Sequence, residues 1–202
     1  MPRIYFPKIL GKGDLCELGE ENLRYVKSVL RMKNGEHLVL FDGAGWEYEA
    51  VIKNFSPHGI NIEVLKKYRI KRDTLRITLF QAIPKANKMD SIIQKATELG
   101  VHRIIPFQSL RSVPRLTADK AHARVSRWRS IATEAARQCG RADIPQVNDI
   151  LSFDEMITSA GGEGLKIIFW EEESEKGIKT ILRDIGYQER DVSVVIGPEG
   201  GF

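Results

Sequence analysis

The sequence predicts an α/β chain carrying a small β-barrel domain ahead of a parallel sheet with crossover helices. Three observations lead there. Apolar residues alternate with period two from residue 2 to about residue 67, as half-buried antiparallel strands require. After Asp73 the pattern becomes short β-branched runs separated by longer stretches of helical spacing, which a parallel sheet with crossover helices produces. The last of these runs leads directly into Gly197-Pro198-Glu199-Gly200-Gly201, and parallel sheets bind ligands just beyond the carboxyl ends of their strands. The expected domains are therefore residues 1–72, a barrel with its linker, and residues 73–202, the α/β domain.

Within the barrel, one face of the strand that starts at Trp46 reads Trp46, Tyr48, Ala50, Ile52, and the other reads Glu47, Glu49, Val51, Lys53. Ile60, Ile62 and Val64 alternate with Asn61 and Glu63 in the same way. Asp42-Gly43-Ala44-Gly45 and Ser56-Pro57-His58-Gly59 mark hairpin connections, where Gly supplies positive φ and Pro fixes its own. One helical stretch interrupts the strands, with Leu23, Val26 and Leu30 on one face and Glu20 and Glu21 at its positive end. The basic run at residues 66–72 reads as a linker.

In the second half, residues 75–80 form a strand and residues 87–99 a helix. The helix has a core stripe of Met89, Ile92, Ile93, Ala96 and Leu99 and a stop at Gly100. Residues 103–107 make the next strand. A long helix over residues 119–138 follows, with Val125, Trp128, Ile131 or Ala132, and Ala135 facing inward and most of its arginines facing elsewhere. Ser152 and Glu155 have capping-box spacing and open a helix to about Ser159. Strands at 166–170 and 192–196 flank a last helix at 176–185.

At 202 residues the chain can bury a core without disulfides or a structural metal. Cys16 and Cys139 lack C-x-x-C spacing, no signal peptide opens the sequence, and no apolar run approaches a bilayer span. A cytoplasmic location without membrane contact is expected. The net charge of +4 conceals a strong asymmetry: residues 73–145 carry +7 and residues 146–202 carry −7. Between Arg103 and Arg141 stand eight Arg and one Lys, opposed only by Asp119 and Glu134. A solvated helix face and a polyanion-binding face account for this run equally well, and nucleic acid is the simplest polyanion.

The closing loop is neither a dinucleotide fingerprint nor a nucleoside-triphosphate loop. A tight turn and a ligand cradle both suit it. His37, His58, His102 and His122 show no metal-ligand spacing, so no metal is assigned. No nucleophile elbow appears, and Cys139 has only Arg137 and Arg141 nearby to activate it, so it reads as a small buried helix residue.

The order of the motifs is more informative than any one of them. Gln81-Ala82-Ile83-Pro84-Lys85-Ala86-Asn87-Lys88-Met89-Asp90 is followed by Lys95-Ala96-Thr97-Glu98-Leu99-Gly100-Val101, then by Pro106, Arg111-Ser112, Trp128, Glu134-Ala135, Gln138-Cys139-Gly140-Arg141 and Ile144-Pro145, and last by the glycine loop. This series resembles the bacterial 16S ribosomal RNA uridine N(3)-methyltransferase family of the SPOUT superfamily, over nearly the whole chain. Arg3, Tyr5 and Phe6, with Tyr25-Val26, Leu30-Arg31 and Gly35, resemble the start of that family's PUA-like RNA-binding barrel. Cys139 stands where relatives commonly have Ser.

The resemblance implies S-adenosylmethionine (S-adenosyl-L-methionine) as methyl donor, a C-terminal domain with a deep trefoil knot, and a homodimer with active sites at the subunit interface. It further implies a substrate, 16S rRNA of the small ribosomal subunit. The chain stops at Phe202, whereas the family pattern continues through a loop and helix that complete the knot and one donor-pocket wall, so a truncated knot domain is expected.

For the donor, the residues implied are Gly197, Pro198, Glu199, Gly200 and Gly201, with Trp170 and Glu171 at the preceding strand end. For the target base they are Arg111, Gln138 and Arg141, and for phosphates Arg115, Arg124, Arg127 and Arg129. Attack by a ring nitrogen needs loss of its proton and in-line approach to the methyl carbon, so alignment and stabilisation of negative charge on the uracil are the main tasks. No general base is assigned: orienting an Arg, acting as a base and offsetting local repulsion all stay open for Glu134, the last being the preferred reading. Two other readings compete: a non-catalytic RNA-binding or ribosome-assembly module without a donor site, and a doubly wound nucleotide enzyme, which the missing phosphate fingerprints disfavour.

Overall fold

A computed structural model describes residues 1–71, 75–85, 88–109, 117–162, 164–170, 172–174, 177–185 and 190–199. The chain divides into two compact units. The first comprises Met1–Arg72 with Ala136–Ile144, and the second Asp73–Ala135 with Pro145–Phe202.

In the first unit, β1 (Arg3–Tyr5), β2 (Leu15–Leu18), β3 (His37–Phe41), β4 (Trp46–Phe55) and β5 (Ile60–Arg69) form one sheet of order β1-β3-β4-β5-β2. All neighbours are antiparallel except β1 and β3. The expected barrel is a curled half-barrel: β1 and β2 remain edges among the described residues. Its concave face is the alternating set read from the sequence, with Leu38, Leu40, Tyr48, Ala50, Ile52, Ile60, Ile62 and Val64 all buried. The Tyr48 hydroxyl, drawn into this core, accepts the Leu10 N–H at 3.3 Å, as a buried polar atom must. Helix α1 (Glu20–Arg24) passes into a π-helical turn, Tyr25–Val29, which buries Val26 in the same core.

The expected linker at residues 66–72 needs correction, because β5 continues through Arg69. The acidic side chains of β4 hold the basic run in the ladder. Lys66 and the Tyr68 hydroxyl both donate to Glu49, at 3.0 Å each, while Lys67 lies 4.5 Å from the Trp46 ring centre.

Residues 136–144 join the first unit through backbone bonds. Ile144 N–H donates to Gly43 and Gly45 N–H to the Ala142 carbonyl. Arg3 donates to the Arg141 carbonyl at 3.1 Å, pairs with Glu47 at 2.7 Å and lies over Phe41.

The second unit holds β6 (Arg76–Ala82), β7 (Arg103–Phe107), β8 (Gln146–Val147), β9 (Leu165–Phe169) and β10 (Asp191–Ile196). They form a wholly parallel sheet of order β8-β7-β6-β10-β9. Helices α2 (Lys88–Glu98), α3 (Ala118–Cys139), α4 (Phe153–Ala160) and α5 (Ile178–Ile185) intervene. Phe80, Ala82, Ile105, Phe107, Met156 and Val195 cluster between sheet and α4.

Met89, Ile93 and Ala96 of α2 are buried as their spacing requires, but Leu99 is 82% exposed. The helix stops before it. Gly100, at φ +94°, donates to Thr97 O, and Val101 donates to Ala96 O, a Schellman closure that turns Leu99 out of the stripe. In α3 the buried stripe is Val125, Trp128, Ala132 and Ala135. Both halves of the Ser152–Glu155 capping box form at α4.

Candidate functional site

Strand register brings the candidate site together. Ile196 lies opposite both Gln81 and Phe169, and Gln81 lies opposite Pro106, so β7, β6, β10 and β9 end nearly abreast. Gly197 and Trp170 are the first residues past the paired ends Ile196 and Phe169. The expected strand at 166–170 thus ends one residue early, and Trp170 leaves the sheet beside the glycine loop.

Trp170 is half exposed and lines a groove of ≈ 630 Å³ between α4 and the β9–β10 face, together with Met156, Ile157, Ile168 and Val195. Gly197 and Pro198 are half-buried. The side chain of Glu199 turns to the neighbouring strand end: its carboxylate accepts from Lys88 Nζ at 2.8 Å and from the Lys85 N–H at 3.3 Å. The Lys88 ammonium, with backbone N–H groups of Glu199 itself and Lys85, holds the carboxyl down at about 2.

Lys85 and Lys88 did not figure among the expected site residues, although both stand in the run 81–90 that the motif series includes. The signal was present as a basic pair where a strand gives way to a helix. Its partner lies 111 residues away from Lys88, which only sheet register reveals.

The arginines expected on RNA divide into distinct groups. Arg124 is exposed on α3. Arg127 directs Nε and Nη2 to one oxygen of Asp90, at 3.0 and 2.7 Å. Arg129 donates to the Val147 carbonyl and to Asp149, at 3.0 Å each. These two guanidiniums therefore pin the part of α3 up to Ala135 within the second unit. Gln138 is exposed in the last turn of α3, in the segment that belongs to the first unit, and so is Cys139, which corrects the expectation that it is buried: it falls one turn past the buried Ala135 and Ala136, where the stripe ends. Arg141 lies in that segment too, half-buried and paired with Asp143 at 2.7 Å. Its neighbour Arg137 donates to the Tyr25 hydroxyl and stacks over that ring at 4.7 Å. Arg111, Arg115, Glu171, Gly200 and Gly201 lie outside the described residues.

Among the described residues, no group of three His, Cys, Asp or Glu side chains is placed to hold a metal ion, and no helix is long and apolar enough to cross a membrane.

Residues 71–202 match the RNA methyltransferase domain family, and residues 18–65 match the RNA methyltransferase PUA domain. The chain belongs to this RNA methyltransferase family. Among curated members, ribosomal RNA small subunit methyltransferase E of Bacillus subtilis is 31% identical, over 90% of this chain and 73% of the relative. The enzyme of that name from Buchnera aphidicola of Acyrthosiphon pisum is 32% identical, over 100% of this chain and 78% of the relative.

Solved structures of the RNA methyltransferase family agree. Ribosomal RNA small subunit methyltransferase E from Neisseria gonorrhoeae, bound to S-adenosylmethionine, superposes with a TM-score of 0.87. It is 33% identical, over 100% of this chain and 81% of that one. A putative methyltransferase of Legionella pneumophila, also in complex with S-adenosylmethionine, gives a TM-score of 0.85 at 33% identity, over 99% of this chain and 81% of that one.

Proposed function

We propose that this chain is the S-adenosylmethionine-dependent enzyme that methylates N3 of a uridine in 16S rRNA of the small ribosomal subunit. We assign it a SPOUT-type knotted catalytic domain, a PUA-like RNA-binding domain and a cytoplasmic, homodimeric state. The observation that carries the reading is the glycine loop leaving the parallel sheet abreast of Trp170, in a chain whose whole length superposes on relatives holding the donor.

The residues present suit a sulfonium nucleoside. Backbone groups of a loop with three glycines approach a ligand closely, and a half-exposed indole attracts a sulfonium cation through its ring face. Lys88, beside the loop, is already paired with Glu199 at 2.8 Å. When bound, the donor supplies an electrophilic methyl carbon. The chain's part is to hold that carbon in line with the ring nitrogen, worth about 7–11 kcal/mol in favourable cases. Gly197, Pro198, Gly200, Gly201, Trp170 and Glu171 would hold the donor, while Arg111, Gln138 and Arg141 would orient the uracil and stabilise its negative charge. Arg115 and Arg124 would meet phosphates, and Arg127 and Arg129 would keep α3 in place to present them.

Titration calorimetry of the full chain with S-adenosylmethionine tests the donor site. The reading expects saturable binding that Trp170→Ala weakens about tenfold without unfolding the protein. No heat, and no protection of the glycine loop, would favour a non-catalytic RNA-binding module instead.

A further inference from the structure

We propose that Glu199 is a positioning residue: its carboxylate latches the glycine loop after β10 to the turn after β6, and so holds that loop in its donor-binding form. This rests on the donor site proposed above.

Three observations converge on it. Glu199 receives two donors from one turn, Lys88 Nζ at 2.8 Å and the Lys85 N–H at 3.3 Å, and one lies on each carboxylate oxygen. Those donors follow β6, the strand directly beside β10, so the bonds tie together the exits of adjacent strands. Lys88 opens α2, where the helix dipole disfavours a cation and favours an anion. The Glu199 carboxylate supplies the favoured charge and neutralises the disfavoured one.

The pair is open to solvent, with side chains 64% exposed at Lys88 and 34% at Glu199. An exposed ion pair of this kind adds little to global stability. Its effect falls on the loop, whose described residues, Gly197–Glu199, lie past the last paired residue of β10. Each carboxylate oxygen accepts from a group of the neighbouring strand exit, so the side chain is directed to that exit and away from a free rotamer. Without the latch the loop samples other arrangements, and the apparent donor affinity falls by the fraction of time it is correctly set.

The test compares Glu199→Ala, Lys88→Ala, the double variant and Lys88→Arg in the full chain. The latch predicts that each alanine variant weakens S-adenosylmethionine about tenfold, which corresponds to a competent fraction of about one tenth. The double variant should be no weaker than Glu199→Ala alone, because both changes open the same latch. Lys88→Arg should bind nearly as the wild type does. RNA affinity should stay within about twofold and the melting temperature within about 3 °C. Direct contact between Glu199 and the donor would instead leave Lys88→Ala close to wild type, and that result overturns the latch.

Hydrogen exchange on peptides covering residues 195–199, without donor, reads the latch independently. Both alanine variants should exchange several-fold faster there, and unchanged exchange overturns the proposal. If the wild type binds no donor, the functional reading falls while exchange still decides the latch.

Discussion

At Glu199 a single carboxylate accepts from an ammonium and from a backbone N–H, and both bonds favour its ionised form. Its folded pKa, about 2, lies below the ordinary value of 4.5. Because the folded value is depressed, its contribution is fully present above pH 4.5 and is lost as pH falls toward 2. Lys88→Met should therefore raise the titration midpoint of this carboxyl toward the ordinary value, as followed by carbon-detected NMR. An unmoved midpoint would mean that the ammonium does not hold it. At Gly164 the constraint is steric. The residue has φ +101°, and an added Cβ would stand 2.5 Å from the Asp191 carbonyl oxygen. Gly164→Ala should cost at least about 1 kcal/mol in urea denaturation. Membership of Glu199 in the closing loop was legible from sequence, but its partners were not, since spacing says nothing of groups 111 residues apart. The same holds for Arg127 and Arg129: the run showed their charge, while Asp90 and Asp149 reach them only through tertiary packing.

Among the elements, those with strong local signals were read closely. The Ser152–Glu155 spacing announced α4, and the fold makes both capping bonds; the Ser152 N–H and hydroxyl, both donating to the Glu155 carboxylate, hold that carboxyl below its usual range. Ser152→Ala should lower stability by about 1 kcal/mol, measured by urea titration of the intact chain. A loss near zero would mean that α4 is held only by Met156 and its neighbours. The misreadings occurred where tertiary context overrode local pattern. The basic run at 66–69 belongs to β5 because Glu47 and Glu49 of β4 face it across the ladder. β8 has only two residues, too few to show any periodicity. Leu99 matched the α2 stripe in spacing, but the left-handed turn at Gly100 closes the helix before it.

For the whole molecule, the change of period near Asp73 was legible because antiparallel and parallel sheets impose different patterns on sequence. The return of residues 136–144 to the first unit was not, since it depends on backbone bonds to Gly43 and Gly45 that have no sequence signature. The five or six phosphate contacts expected from sequence would give a salt slope of about −4 with single-stranded RNA on logarithmic axes; with Arg127 and Arg129 engaged in holding α3, Arg115 and Arg124 together account for about −1.4 of it. The carboxylate partners of Arg127 and Arg129 sharpen that expectation. Arg124→Ala should make the slope shallower by about 0.7, and Arg127→Ala by less, in binding titrations between 50 and 200 mM salt, roughly the range over which such contacts are read. A slope near zero for the unaltered protein would remove the phosphate assignments altogether. The most direct measurement of the central claim is mass mapping of 16S rRNA from cells with and without the intact protein. The account predicts one uridine that carries a methyl group on N3 only when the protein is present. An identical methylation pattern in both samples would contradict it.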